Sequence, residues 1–263
     1  MTIETILTPA EQPALARRDL RGAACVVFDI LRATSTFVTA LHNGAREIIP
    51  VGEIAEAVRL RRAQPPVLLA GERAGIRIRA EQTGGVDFDF GNSPREFTSA
   101  KIQGASIVST TTNGTRALRA CLGAKAVLAA SFLNLAATAD FLQAGNYSEV
   151  ILVCAGTGEG VALEDVLAAG ALIDLWLQAA PGSAAKIKDE KGQELLDDSS
   201  QIALKTFNQM KADLSKAISS SQNGRRLLGI PELRDDVRFC AQRDIFNDVA
   251  LMGTDGTIRR YKN

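Results

Sequence analysis

The sequence predicts an α/β fold, a three-layer αβα arrangement with a mostly parallel or mixed central sheet. Three observations predict it. Short apolar runs alternate with amphipathic stretches from about residue 23 to 180. The segment 132–144 places Phe132, Leu133, Leu135, Ala136, Ala139 and Leu142 near a helical period. At 263 residues the chain is long enough to bury a sizeable core. Strand–helix alternation of this kind builds a sheet with helices on both faces.

Taken in order, strands are expected at about 24–30, 46–51, 67–70, 105–109, 125–129 and 148–154, with helices between them at about 34–43, 53–63, 94–101, 115–122, 132–144 and 161–179. Residues 71–95 form a long polar connection with glycines at 71, 75, 84, 85 and 91. Loops of that length inside compact domains are often functional. Residues 201–218 read as helix, and the end of the chain as a closing helix and two short strands. A single domain spanning 1–263 is expected, with a polar surface excursion at about 181–200.

Composition removes several function classes. Thirty basic residues balance 30 acidic ones, which argues against a nucleic-acid binder. The amino-terminal stretch has no basic start followed by an apolar run, and no segment approaches the roughly 18 apolar residues of a membrane span. Cys25, Cys121, Cys154 and Cys240 are scattered, and read as buried free thiols in a reducing cytoplasm.

Elimination narrows the chemistry further. The only histidine, His42, lies near a helix carboxyl end, where it complements the dipole. There is no G-x-S-x-G, no metal-ligand spacing of His and Cys, no Cys-x5-Arg loop and no G-x-x-x-x-G-K-[ST]. An enzyme built from this chain must work with carboxylates, hydroxyls, arginines and a hard cation.

Those groups gather at the predicted carboxyl ends of strands, where open α/β sheets place their ligands. The first set is Asp29, Arg32, Thr34, Ser35 and Thr36. The second is Gly71, Glu72 and Arg73, and the third is Thr110 to Arg116 in "TTTNGTR". The fourth is "AGTGEGVALED", ending in Glu164 and Asp165. Each set also has a plain structural reading as a turn, a helix cap or a dipole partner. The "TTTNGT" run doubles as an anion cradle of hydroxyls, backbone N–H groups and a helix amino end. "GTGEG" is a partial dinucleotide loop that lacks the full G-x-G-x-x-G.

The ordered motifs "DILRATST", "LLAGER", "FDFGNSPREF", "VSTTTNGTRAL", "ASFLNLAA", "VCAGTGEGVALEDVLAAG" and "NGRRLLGI" resemble those of the 2-phosphosulfolactate phosphatase family, from about residue 20 to 247. One departure is Val249-Ala250, where the family pattern has Val-Pro. The resemblance implies a single α/β unit and a magnesium-dependent phosphatase that converts 2-phosphosulfolactate to sulfolactate in coenzyme M biosynthesis. The acids at the strand ends are then expected to hold Mg²⁺ through Asp29 and Glu72 with one or both of Glu164 and Asp165, for water attack or, as the alternative, an aspartyl-phosphate intermediate at Asp29. Asp29, Arg32, Glu72 and Arg73 are then the expected catalytic residues. Thr34, Ser35, Thr36, Asn92, Ser93, Thr111, Thr112, Asn113, Gly114 and Arg116 are the expected substrate-binding residues. The expected partner is a small anionic phosphorylated substrate, with neither nucleic acid nor membrane involved, and a homo-oligomer is compatible with this reading. Two rivals stay open: a non-catalytic sensor of an anionic metabolite, and a nucleotide-dependent oxidoreductase using "GTGEG".

Overall fold

The computed structural model describes residues 1–63, 66–179 and 195–261. Its strands are β1 (Thr2–Ile6), β2 (Ala23–Phe28), β3 (Glu47–Pro50), β4 (Val67–Arg73), β5 (Ile76–Arg77), β6 (Ser106–Thr110), β7 (Ala126–Ala130), β8 (Glu149–Cys154), β9 (Val249–Met252) and β10 (Ile258–Tyr261). They form one sheet in the order β1-β8-β2-β7-β9-β10-β3-β6-β4-β5. Strand β2, "AACVVF", is buried along its whole length and pairs in parallel with β7 and β8. Such continuous apolar strands belong in parallel sheets covered on both sides.

The two faces of the sheet carry separate cores, because successive side chains of a strand point to opposite faces. Val26 and Phe28 of β2 join Leu128, Leu152, Leu167 and Phe207 in one core, under the helices Leu135–Ala144, Leu163–Ala179 and Asp198–Met210. Cys25 and Val27 join Phe37, Leu41, Leu118, Ile151 and Ile107 in the other, under Ala33–His42 and Gly114–Ala120. The helices Leu163–Ala179 and Asp198–Met210 approach so closely that a Cβ on Gly170 would stand 2.2 Å from the Ala203 carbonyl oxygen.

The hairpin β9–β10 is inserted in the middle of the sheet, antiparallel to β7 on one side and to β3 on the other. Strands β3, β4 and β6 are mutually parallel but therefore run against β1, β2, β7 and β8. In a flat sheet the two blocks would open on opposite edges. Twist resolves this. At about 20–25° per neighbouring pair, the six steps from β2 to β4 turn the strand axis by roughly 120–150° and offset most of the reversal. The helix Ala33–His42 fills the concavity, sharing its core with β2, β7 and β8 and with β3 and β6. The carboxyl ends of both blocks meet beside its first turn.

Several elements differ from expectation for identifiable reasons. The helix expected at 94–101 is a 3-10 turn, Pro94–Glu96, followed by the short helix Ser99–Ile102. Glu96 turns back to accept the Gly91 N–H at 3.1 Å, and Phe97 leaves helical geometry to pack on Phe90. The connection 71–95 is more ordered than a polar loop: β4 continues to Arg73, β5 folds back on it, and Ile78 and Phe88 are fully buried. Strand β1 was not foreseen; its edge is closed by Leu196, which bridges Ile3, and by Ser200, which bonds Thr5 at 2.8 Å. Of the expected excursion at 181–200, residues 181–194 lie outside the described residues, whereas 195–200 pack on β1 and open the helix Asp198–Met210. His42 ends the helix Ala33–His42 as expected, and there also makes a specific contact, with its Nδ1 2.6 Å from Asp248 and its ring stacked on Phe246.

Candidate active site

A polar cavity of about 150 Å³ opens where the two blocks of strands meet. Asp29 and Arg32 reach it from the end of β2, Glu72 and Gly75 from β4, Thr111 to Asn113 from β6, and Gly156 to Gly158 from β8. Asn92, Asn223 and Arg226 complete the wall.

Asp29 is fixed by the turn that follows it. Its Oδ1 accepts the Ala33 N–H at 3.0 Å, and its backbone carbonyl accepts Thr34 N–H and Thr34 Oγ1–H. The other carboxylate oxygen, Oδ2, lies against Gly114, where a Cβ would stand 2.7 Å away. Only a glycine lets the "TTTNGT" turn come so near. Burial raises the Asp29 carboxyl to about 6, opposed by the Ala33 N–H and reinforced by the charges of Glu72 and Glu164.

Glu72 ties two loops together. Its Oε1 accepts the backbone N–H and hydroxyl of Thr112 at 3.1 and 3.0 Å, and its Oε2 accepts the Gly75 N–H at 2.6 Å. Arg32 is buried and bridges Asp236 at 2.7 Å and the Gly75 carbonyl at 2.8 Å. Ser93 holds the second oxygen of Asp236 at 2.7 Å. Asp236 was not singled out from the sequence, because nothing local marks it as Arg32's partner 204 positions away.

Behind this wall lie two further carboxylates. Glu164 is buried, with Oε1 accepting from Asn223 at 2.6 Å and Oε2 without a hydrogen-bond partner. Asn223 donates also to Thr157 Oγ1 at 2.6 Å. Asp165 accepts the N–H of Ile30 with Oδ1 at 2.8 Å and that of Gly156 with Oδ2 at 3.0 Å. Burial pushes the Asp165 carboxyl well above the usual range, with Glu164 and Asp29 adding to the effect. Asp165 thus locks the ends of β2 and β8 together.

Of the residues expected in the site, the structure brings Asp29, Arg32, Glu72, Asn92, Thr111, Thr112 and Asn113 to the cavity wall. Gly114 stands directly against Asp29. Others are placed elsewhere. The hydroxyls of Thr34, Ser35 and Thr36 donate to the carbonyls of Asp29, Ile30 and Asn92, and none of the three lines the cavity. Ser93 faces Asp236. Arg73 turns to the carbonyl of Glu72 at 2.7 Å and to Thr110 Oγ1 at 3.1 Å. Arg116 pairs with Glu159 at 2.7 Å on the exterior. Asn223 and Arg226 were not assigned from the sequence, although both stand in its "NGRR" motif.

The "GTGEG" loop does not open a helix. Thr157 and Gly160 exchange two 3.0 Å backbone bonds in a tight turn, and the following helix starts at Leu163. The dinucleotide-loop geometry, in which pyrophosphate rests on a helix amino end, is therefore not formed here. Among the described residues no helix is long and apolar enough to cross a membrane. Also among them, no three His, Cys, Asp or Glu side chains converge as a ready-made metal cage.

Carboxylates, hydroxyls and backbone amides gathered at the strand ends of an α/β sheet mark the ligand-binding edge of an α/β enzyme. A family model described as 2-phosphosulpholactate phosphatase matches residues 8–254, and the chain belongs to that family. It is a phosphoric monoester hydrolase. A protein of Caldicellulosiruptor saccharolyticus named probable 2-phosphosulfolactate phosphatase is 37% identical over 237 residues, covering 88% of this chain and 89% of its own. Another of that name from Pseudothermotoga lettingae is 38% identical, covering 90% and 92%. A third, from Gloeothece citriformis, is 31% identical and covers 95% and 97%.

Proposed function

We propose that this chain hydrolyses 2-phosphosulfolactate to sulfolactate and inorganic phosphate, with Mg²⁺ as its cofactor and the cytoplasm as its setting. The observation that carries the reading is the meeting of Asp29 and Glu72 with the Thr111–Asn113 turn around one small cavity. Four free, buried cysteines suit a reducing compartment. The cavity draws on residues from Asp29 to Arg226, so the whole chain acts as one catalytic unit.

The donor set suits a hard cation. Glu164 has a buried oxygen without a partner, and Asp29 is raised by burial beside two other carboxylates. Magnesium keeps several of its waters and needs only one or two carboxylates, so a closed protein cage is not required. Asp29 with one of Glu72 and Glu164 would hold the ion, water would fill its remaining positions, and Asp165 positions the Asp29–Ile30 backbone. When bound, the ion offsets charge on the phosphoryl oxygens and on the leaving alkoxide.

The chain's own groups do the rest. Thr111 and the amides at the start of the helix Gly114–Ala120 would cradle the phosphoryl oxygens, while Asn113 Nδ2 ties the turn to the Gly156 carbonyl at 2.6 Å. Thr112, whose N–H and hydroxyl are both given to Glu72, holds the turn in place. Arg32 commits two of its N–H groups to Asp236 and Gly75, and from that fixed place at the cavity wall its charge would balance that of the phosphoryl group. Asn92 orients the organic part. Water attacks phosphorus, the ester P–O bond breaks, and sulfolactate leaves as its alkoxide and is reprotonated from solvent. A panel of phosphorylated hydroxy acids tests the substrate: 2-phosphosulfolactate should give the highest kcat/KM. Release of phosphate from none of them would refute the reading.

A further inference from the structure

The cavity holds two guanidinium groups of different standing. Arg32 is buried and fixed to Asp236 and the Gly75 carbonyl. Arg226 lies on the cavity rim, exposed, and forms no ion pair or side-chain hydrogen bond among the described residues. Its neighbour Arg225 is instead tied to the carbonyl of Ser220. Arg226 is carried by the helix Gln222–Leu228, one turn after Asn223. Asn223 anchors that turn by donating to both Glu164 and Thr157, each at 2.6 Å. A flexible side chain is thus mounted on a fixed point, above carboxylates that would repel any anion lacking a cationic partner.

We infer that Arg226 is a specificity-determining residue that reads the sulfonate of the substrate. The inference rests on the proposed hydrolysis of 2-phosphosulfolactate and deepens it. In that molecule the carboxylate sits on the carbon that bears the phosphate, so it enters the cavity with the reacting group. The sulfonate is one carbon further out and reaches the rim. A guanidinium fork suits a three-oxygen anion there, and a cation on the rim also draws a multiply charged substrate inward. Because the contact is made equally in the ground and transition states, it lowers KM and leaves kcat unchanged.

The test compares wild type, R226A, R226K and the control R225A on three substrates: 2-phosphosulfolactate, 2-phospholactate without the sulfonate, and 2-phosphoethanesulfonate without the carboxylate. R226A should raise KM for both sulfonates by about 10- to 100-fold, as expected for loss of a charge-assisted hydrogen bond. 2-Phospholactate should change by less than about threefold. R226K should fall between the two, and R225A should match wild type. An equal loss on all three substrates, or a loss that follows the carboxylate, overturns the assignment. Calorimetric titration with sulfolactate and with lactate separates this inference from the hydrolysis it rests on. If wild type releases no phosphate from any substrate, the proposed function fails. Arg226 is then decided by binding: weaker sulfolactate binding by R226A supports the role, and unchanged binding overturns it.

Discussion

Asp29→Asn separates catalytic from structural roles, because the two predict opposite changes in stability. Asparagine is nearly isosteric, and its Oδ1 can still accept the Ala33 N–H. The ionised Asp29 is costly to the protein without its cation. Its carboxyl lies at about 6 in the folded chain against an ordinary 3.8. At roughly 1.4 kcal/mol per pH unit, the charge destabilises the native state by on the order of 3 kcal/mol. That net value already includes the opposing bond from the Ala33 N–H. The variant in chelator should therefore be more stable at pH 7.5 by on the order of 3 kcal/mol, a rise in Tm of roughly 5 °C for a chain of this size.

The pH dependence has a definite sign. The folded-state value lies above the unfolded one, so the native protein binds the extra proton between about pH 4 and 6. Stability of the wild type falls as pH rises through that window and stays reduced above it. The gap between variant and wild type should thus be full at pH 7.5 and close as pH falls toward 4. Activity should drop by about three orders of magnitude, or about 4 kcal/mol of transition-state stabilisation. Scanning calorimetry at two pH values and a phosphate-release assay measure both effects. Near-normal turnover, or a variant that loses activity because it melts earlier, would refute the reasoning.

Three other substitutions follow from the same geometry. Gly114→Ala places a methyl 2.7 Å from Asp29 Oδ2 and from Ala33 Cβ; displacing Asp29 should lower kcat by about 10- to 100-fold, and overpacking of the buried site should cost about 1–3 kcal/mol of stability, whereas unchanged kcat would show that the contact is not critical. Cys154 is fully buried, and burial first, then Asp165, raises its thiol well above the usual range. Cys154→Ala should keep most of the activity at a cost of about 1 kcal/mol in denaturant unfolding; lost turnover in a normally folded variant would make the thiol a nucleophile. Arg116 pairs with exposed Glu159, so Arg116→Ala should change kcat/KM by less than about threefold, and a larger loss would bring it into the site.

What the sequence revealed and what it hid divide along a physical line. Strands such as β2 and β8 were legible because burial on both faces leaves a continuous apolar run. The meeting of Asp29, Glu72 and the threonine turn was legible as similar polar sets at successive strand ends. The reversal of half the sheet was not, because it depends on β9–β10 pairing with strands more than 100 residues earlier. The hydroxyls of Thr34, Ser35 and Thr36 illustrate another limit. The same residue types that bind an anion also bond backbone carbonyls at a helix start, and only the fold decides between the two uses. Asn223 and Arg226 stand in a polar run, "SSSQNGRR", on a seven-residue helix that follows no strand, so they lacked the strand-end position that marked the other polar sets. Their role depends on where the fold carries that helix.

The central claim is that this cavity releases phosphate from 2-phosphosulfolactate with the help of a divalent cation held by carboxylates. Phosphate release from that substrate by metal-depleted protein, measured before and after addition of Mg²⁺, tests it most directly. The account predicts no detectable turnover in the depleted protein and full recovery with Mg²⁺, with no recovery in Asp29→Asn. Full turnover by verified metal-free protein, or none after Mg²⁺ is restored, would contradict it.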